Sequence, residues 1–287
     1  MLSVTQEKGV VPKLKQEVMK KMIEQGVRID NRGGLNDYRA LSIRVGGVVK
    51  TADGSSLVSL GNTKVMAGVK VEIGKPFEDT PDEGALIVNL EIAPTASPPD
   101  VEPGPPDENA IEVARVVDRA IRHSGFLNFK SLSIVTGKHA WFLWVDVYVL
   151  NHDGNLVDAS TIAAVTALMN TALPKVELDP AGNILRIDRG GSRSPLSLNM
   201  DKLPLTITHV KIGNFLLVDP IREEEDLSDG AYITGVAGGS IVSIQKVTGA
   251  FTKDEVNYMV SNSINQYVKL RESVINIMKN PPTDLQL

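Results

Sequence analysis

Residues 105–122, PPDENAIEVARVVDRAIR, decide how the rest of the chain is organised. At about 100° per residue, apolar side chains at positions 110, 111, 113, 114, 116, 117, 120 and 121 cover one broad side of a helix. Arg115, Arg119 and Arg122 are spaced i, i+4 and i+7 and line the opposite side. Two interpretations of these arginines stay open. They form ordinary pairs on a solvated face, or their guanidinium groups bind the phosphates of a nucleic acid.

The composition limits the class of protein. The 287 residues allow one large domain or two lobes that share a core, and the absence of cysteine excludes disulfides, thiolate zinc sites and a cysteine nucleophile. We find no stretch typical of a signal peptide or a membrane span, so we expect a cytoplasmic protein. The net charge of −5 argues against a protein that coats nucleic acid along its whole surface.

Charge is distributed unevenly along the chain. Residues 1–72 carry 12 lysines and arginines against 7 acidic residues, whereas residues 78–112 carry 10 acidic residues and no basic one. Such a chain can present a local positive site while it stays acidic overall.

The first half of the chain predicts a sheet with packed helices. An amphipathic helix at 13–25 and a polar loop at 28–34 precede alternating strands at 41–45, 56–60, 63–71 and 86–92, which we interpret as an antiparallel meander. The segment 93–106 holds six prolines, so it is either a surface loop or a rigid rim that contacts a partner. After the helix that ends near Gly125, strands are predicted at 132–135 and 140–150. The run AWFLWVDVYVL is apolar enough to be buried on both faces, and a closely packed helix at 158–171 follows.

The second half repeats this pattern in outline. A hairpin at 206–211 and 215–218, an acidic stretch at 219–229, strands at 231–236 and 241–247 and a long C-terminal helix follow in order. The helix begins with Thr252 and Glu255 at capping-box spacing and ends at Pro281-Pro282. We therefore expect an α+β fold of two similar lobes. The predicted divisions are an N-terminal helix and loop at 1–32, a first lobe at 33–195, and a second lobe with the C-terminal helix at 196–287.

Few residues predict chemistry directly. The four histidines, His123, His139, His152 and His209, lack metal-ligand spacing. The glycine-containing segment 189–193 is either a plain hairpin loop or an anion site built from backbone N–H groups. The acidic residues of 219–229 are either a solvated loop or a site for a divalent ion. We predict no metal, no cofactor and no catalytic residue.

Several motifs together resemble the ribonuclease PH family, in order along nearly the whole chain. They are Arg28-x-Asp30-x-Arg32, Asp53-Gly54-Ser55 with Gly61-Asn62-Thr63-Lys64-Val65, the Glu112/Arg115 helix, and Leu217-Val218-Asp219 followed by acidic residues. The stretch PGPPDENAIEVARVVDRAIR resembles one branch of that family, the non-catalytic subunit of the archaeal exosome ring.

The resemblance implies a fold, partners and an activity. The ribonuclease PH-like fold has two βαβα-type lobes with mixed sheets and packed helices. The expected assembly is a hexameric ring of three heterodimers with a catalytic ribonuclease PH-like subunit, joined by RNA-binding cap subunits. Such a ring degrades single-stranded RNA from its 3′ end with phosphate as the attacking group. Arg115, Arg119 and Arg122 are then the candidate RNA-binding residues, each neutralising a backbone phosphate.

This sequence departs from the active members of the family at two positions. Where those members hold phosphate with Gly-Thr-Arg, this chain has Asn155-Leu156-Val157 after Asp153-Gly154. Where active archaeal subunits carry paired arginines before the organising helix, this chain has Asp107-Glu108-Asn109, whose carboxylates repel RNA phosphate.

The two acids of the family that assist the metal or the leaving group match Glu223 and Asp229. Without a phosphate-binding loop they have no nucleophile to assist. We therefore expect a chain that is inactive by itself. A self-sufficient phosphorolytic 3′-to-5′ exoribonuclease and a free-standing RNA-binding module are the alternatives.

Overall fold

The computed structural model describes residues 11–96, 106 and 108–280. Its helices are α1 Lys13–Glu24, α2 Glu108–Arg122, α3 Leu156–Met169, α4 Arg222–Leu227 and α5 Lys253–Lys279. Its strands are β1 Leu41–Val45, β2 Gly54–Leu60, β3 Thr63–Gly74, β4 Ala85–Ile92, β5 Ser133–Val135, β6 His139–Asn151, β7 Ala172–Leu178, β8 Ile184–Pro195, β9 Pro204–Ile212, β10 Phe215–Val218, β11 Gly230–Ala237 and β12 Ser240–Thr248. Residues 1–10, most of the proline-rich segment (97–105) and Pro281-Pro282 lie outside the described residues.

The first sheet has the strand order β1-β2-β3-β6-β4, with β5 paired to the start of β6. Strands β1, β2, β3 and β6 are antiparallel neighbours, whereas β4 runs parallel to β6. The predicted meander is therefore wrong in one respect, because β6 lies between β3 and β4. The crossover from β4 to β6 passes through α2, and such a helical crossover is what joins neighbouring parallel strands.

The second sheet has the order β10-β9-β11-β12, and all of its pairs are antiparallel. Both predicted hairpins are present. The mixed sheets with packed helices confirm the predicted α+β fold class. The positions at which the chain divides into lobes stay a prediction.

A third, two-stranded sheet, β7 with β8, was not predicted from the sequence. The segment 189–193 is a bulge within β8, since the register steps from Pro174 opposite Arg193 to Lys175 opposite Asp188. The prediction of a hairpin loop there is wrong. Its two glycine N–H groups, at 190 and 191, donate to the Asp188 Oδ1 atom at 3.3 and 3.0 Å. These donors are already occupied by an internal carboxylate.

The core centres on α3. All residues of this helix from Leu156 to Leu168 are buried, which confirms the predicted close packing. One apolar cluster joins residues of both sheets to α3 and α5, including Val149, Ile162, Leu205 and Tyr267. Helix α1 is held separately, since Ile23 packs with Val210, Ile212 and Leu217. The N-terminal helix is thus anchored on the second sheet.

Strand β6 is buried on one face only. The side chains of Leu143, Val145 and Val149 are fully buried, whereas Tyr148 is 41% exposed and Leu150 is 36% exposed. The prediction that both faces of this strand are buried is therefore wrong for the chain by itself, because nothing in its own fold covers the outer face to the same degree.

The acidic stretch is more ordered than the sequence predicted. It contains α4, and the side chains of Asp219 and Glu224 are fully buried. Within the described residues, no group of three or more histidine or acidic side chains is arranged to hold a metal ion. In the same part of the chain, no helix combines the length and the apolar content needed to cross a bilayer.

Candidate functional site

The loop before α3 packs directly against the segment that precedes α4. Gly154 has a φ of +81°, and a Cβ atom there would lie 2.4 Å from the Ile221 carbonyl carbon and 2.5 Å from the Arg222 nitrogen. Only glycine permits this approach of two backbones. Asn155, with a φ of 53°, then begins the helix. The tight contact fixes the acidic segment over the start of α3.

The start of α3 is surrounded by carboxylates of the same chain. The Asn155 backbone N–H donates to Glu225 Oε1 at 2.7 Å. The Asn155 side-chain amide donates to Asp158 Oδ2 at 2.9 Å and to Asp219 Oδ1 at 2.7 Å. A helix N-terminus attracts anions through its free N–H groups and its dipole. Here internal carboxylates already occupy that position.

The two residues that follow Asn155 contribute no polar side chain to this site. Leu156 is 7% exposed and Val157 is 9% exposed, and both belong to the main apolar cluster. Their hydrocarbon side chains point into the core and supply no donor for an anion. The departure from the family pattern that the sequence indicated is thus also a difference in packing.

Three arginines neutralise the buried acids. Arg28, which is fully buried, binds both carboxylate oxygens of Glu224 and donates to the carbonyl oxygens of Val218 and Asp219 at 2.6 and 2.9 Å. Arg39 binds Asp219 through two nitrogens, at 2.7 and 3.0 Å. Arg32 reaches the same carboxylate at 3.0 Å. We call the set Arg28, Arg32, Arg39, Asn155, Asp158, Asp219 and Glu224 the buried polar network.

The acids near α3 differ in their proton affinity. Burial by itself raises the pKa of Asp219, but the hydrogen bonds and charge of Arg39 outweigh it and hold that pKa below its usual range. Burial raises the pKa of Asp158 to about 6 and that of Glu225 to about 7. Neither group has an arginine bound in the way Arg39 binds Asp219. Near neutral pH, Asp219 is therefore ionised and Glu225 is close to its titration midpoint.

Sequence reasoning missed most of this network. Arg28 and Arg32 were interpreted as part of a polar loop, and Asp158 as one residue of a helix packed on all sides. A signal was present for Asp158, because it is the single charged side chain in that otherwise apolar helix. It accepts hydrogen bonds from the Thr208 hydroxyl at 2.8 Å and from the Tyr38 hydroxyl at 3.0 Å. A buried charge needs such partners.

The matched acids Glu223 and Asp229 do not converge on the start of α3. Glu223 pairs with Lys15 of α1 at 2.5 Å. Asp229 accepts a hydrogen bond from the Gly213 N–H at 2.7 Å, in the turn between β9 and β10. Each carboxylate is therefore engaged with a different part of the fold.

The three arginines of α2 have different surroundings. Arg115 is exposed, and within the described residues its guanidinium group has no hydrogen-bond or ion-pair partner. Arg119 is half-buried and donates to Gln245 Oε1 of β12 at 2.9 Å. Gln245 in turn donates to Glu112 at 2.9 Å. Arg119 is thus held between α2 and the second sheet.

Arg122 has its donors engaged within the chain. It binds Asp118 through two nitrogens at 3.0 and 2.7 Å, donates to the Leu86 carbonyl oxygen at 2.8 Å, and stacks 5.8 Å from the centre of the Phe129 ring. The structure therefore grades the row, with Arg115 the most available to an external anion and Arg122 the least.

Two further expectations about α2 are affected by the structure. Ile111, which the helical pattern placed on the apolar side, is 48% exposed and lies one turn before Arg115. Glu108 begins the helix and is exposed, while Asp107 lies outside the described residues.

Comparison with known proteins places this geometry in a family. Residues 37–174 match the model of the 3′ exoribonuclease family, domain 1, and residues 202–266 match domain 2 of the same family. The exosome complex component Rrp42 of Pyrobaculum aerophilum is 45% identical over 272 residues, which cover 95% of this chain and 97% of that protein. The protein of the same name from Pyrococcus furiosus is 41% identical over 94% of this chain and 96% of its own length.

Solved structures agree with the sequence comparison. A chain of the Archaeoglobus fulgidus exosome with RNA bound to the active site superimposes with a TM-score of 0.80 at 40% identity, covering 91% of this chain and 97% of that one. A chain of an archaeal exosome core superimposes with a TM-score of 0.76 at 37% identity, covering 91% and 96%.

Proposed function

This chain belongs to the 3′ exoribonuclease (ribonuclease PH) family, and we propose that it is the non-catalytic subunit of an archaeal exosome ring. It forms the ring with a catalytic ribonuclease PH-like subunit as three heterodimers, and RNA-binding cap subunits sit on the ring. The names of its relatives and the assemblies in which its structural neighbours were solved support this assignment. We place the ring in the cytoplasm, as expected from the sequence.

The observation that carries the non-catalytic assignment is the Glu225–Asn155 hydrogen bond at the start of α3. Phosphorolysis needs inorganic phosphate held beside the scissile bond, and the N–H group best placed to bind it is donated to an internal carboxylate. Asp219 and Asp158 occupy the adjacent amide, and Leu156 and Val157 are buried. An incoming phosphate would meet negative charge in place of free donors.

The role that remains is to help hold RNA for the partner. Arg115, Arg119 and Arg122 lie along α2, and Arg115 has no internal partner among the described residues. In a heterodimer whose active site lies near the subunit boundary, these side chains neutralise backbone phosphates of single-stranded RNA without reading its sequence. The partner supplies the phosphate site and the chemistry of 3′-to-5′ degradation.

Co-expression with the catalytic candidate from the same genome tests the assignment. Native mass spectrometry should show a closed hexamer, and that hexamer should release nucleoside diphosphates from RNA with phosphate and a divalent ion. The chain purified alone should release none under the same conditions. Turnover by the isolated chain would contradict the non-catalytic role, and failure to assemble with the partner would contradict the ring.

A further inference from the structure

Strand β6 carries an apolar face that its own fold leaves open. In sequence the strand is apolar at almost every position from Trp141 to Leu150, which is typical of a strand covered on both faces. In the structure the inner side chains are buried, whereas on the other face Phe142 and Trp144 are half-buried and Tyr148 and Leu150 are exposed. The sequence of this strand therefore anticipates a cover that a single chain lacks.

The open face extends beyond one strand. Phe77, which is 59% exposed, lies with its ring centre 6.0 Å from that of Phe142 at one end. Phe77, Phe142, Trp144, Tyr148 and Leu150 are named here the outer strip. The eight-residue spacing from Phe142 to Leu150 corresponds to ~26 Å along a strand. That length approaches the width of a standard interface patch of about 800 Å² per partner.

Charged residues of both signs border the outer strip. On the β4 side, Glu91 lies beside Tyr148, and Asp146 accepts a hydrogen bond from Asn89 at 3.0 Å within the strip itself. On the β3 side, Lys70 lies beside Trp144. An aromatic centre with a charged border is the usual composition of a protein interface. The carboxylates argue against RNA, whose phosphates they would repel.

We propose that the outer strip is a surface on which a neighbouring subunit of the ring packs. This inference rests on the proposed function, which supplies a neighbour of stated kind, and adds the place of contact. The border also defines the partner's chemistry. Basic side chains should face Asp146 and Glu91, acidic side chains should face Lys70, and an apolar surface should lie over Tyr148 and Leu150.

The test is a double variant, Tyr148→Glu with Leu150→Glu, co-purified with the catalytic subunit and compared with the wild-type chain. Both side chains are exposed in the free chain, so its circular dichroism and melting temperature should be unchanged. Two carboxylates in an apolar interface should raise the concentration at which half of the ring dissociates about 30-fold or more, measured by sedimentation and native mass spectrometry. Leu14→Glu, at a residue of α1 that is 76% exposed, is the matched control and should assemble normally.

The outcomes separate this inference from the proposed function. If the wild-type chain forms no ring with the partner, the proposed function fails and the inference fails with it. If the wild-type ring forms and the double variant assembles equally well, the inference alone is wrong. Equal loss of assembly in the Leu14→Glu control would also contradict it, because the effect would then come from added charge at any exposed site.

Fluorescence of Trp144 gives a second measurement on a folded protein. In a Trp141→Phe background Trp144 is the remaining tryptophan, and its half-buried indole should shift its emission to shorter wavelength when the partner is added. RNA added to the isolated chain should leave the emission unchanged. A shift with RNA and none with the partner would overturn the proposal in favour of a nucleic-acid surface.

Discussion

The start of α3 and the outer face of α2 use the same residue type for opposite purposes. At α3, Arg28 and Arg39 are buried with both carboxylate oxygens of an acid bound by each guanidinium. On α2, Arg115 is exposed and has no such partner among the described residues. The difference teaches that an arginine becomes available to RNA only where the fold supplies no acid. The chain has satisfied its ancestral phosphate site internally and left its positive charge on a helix surface.

The largest expected effect comes from breaking the buried polar network. Arg39→Met removes the double contact to Asp219 and the donors to the carbonyl oxygens of Asp153 and Gly154. Removing one partner of a buried pair leaves an uncompensated charge, so the free energy of unfolding should fall by about 3 to 5 kcal/mol. Chemical denaturation of the isolated chain measures it. Arg186→Met, at an exposed position of β8, should change stability by less than about 0.5 kcal/mol, and equal effects would show that Arg39 has no special role.

The next effect concerns the exposed end of the comparison. Arg115→Glu should weaken RNA binding by the assembled ring about tenfold and reduce the dependence of affinity on salt, because one phosphate contact is lost and a repulsive charge is added. Binding isotherms at several salt concentrations measure both quantities. The stability of the free chain should not change, since this side chain makes no internal contact that would be lost. Unchanged affinity and salt dependence would mean that the row is a solvated face.

A smaller effect is expected from Glu225, which sharpens the account of the α3 site. Because its pKa is raised to about 7, the folded state holds a proton that the unfolded state releases near pH 4. The associated stability is present at low pH and is lost as the pH rises through 7. Glu225→Gln keeps an acceptor for Asn155 without the charge, so it should raise stability at pH 8 by about 1 kcal/mol and flatten the decline between pH 5 and pH 8.

The control for that variant is Glu223→Gln, one turn position away and half-exposed in its pair with Lys15. It should leave the pH profile of stability close to that of the wild type. A decline between pH 5 and pH 8 that survives in Glu225→Gln would assign it to Asp158 instead, and would show that Glu225 is ionised in the folded chain throughout.

The smallest effect is expected at Arg122. Since its guanidinium already binds Asp118, the Leu86 carbonyl oxygen and the Phe129 ring, Arg122→Glu should change RNA affinity of the ring by less than about threefold. The same titration used for Arg115→Glu measures it, with the substitution matched. A loss as large as that of Arg115→Glu would mean that RNA displaces the internal contacts, and the grading of the row would be wrong.

Much of the fold could be predicted from the sequence because its signals are local. The apolar periodicity of α2, the alternation in β3 and the capping box at Thr252 and Glu255 each depend on neighbours within one turn or one strand pair. The place of β6 between β3 and β4 could not be predicted, because strand order depends on a crossover that no local pattern encodes. The β7–β8 hairpin was missed because its exposed, charged residues do not alternate.

The candidate site divides in the same way. The replacement of phosphate ligands by Leu156 and Val157, and the arginine row itself, can be read from the sequence once the family pattern is known. The partners of each charge cannot. Arg28 lies 196 positions before Glu224, and its burial follows from the contact of two loops at Gly154.

The sequence by itself determined which groups are present: a helix with an apolar side and an arginine side, a strand apolar at nearly every position, and hydrocarbon where active relatives bind phosphate. Tertiary structure alone decided which of these groups are satisfied internally. Hydrogen bonds and ion pairs act over a few ångströms in space, whatever the distance along the chain. Glu225 therefore reaches Asn155, Arg39 reaches Asp219, and Arg115 is left to bind outside the chain.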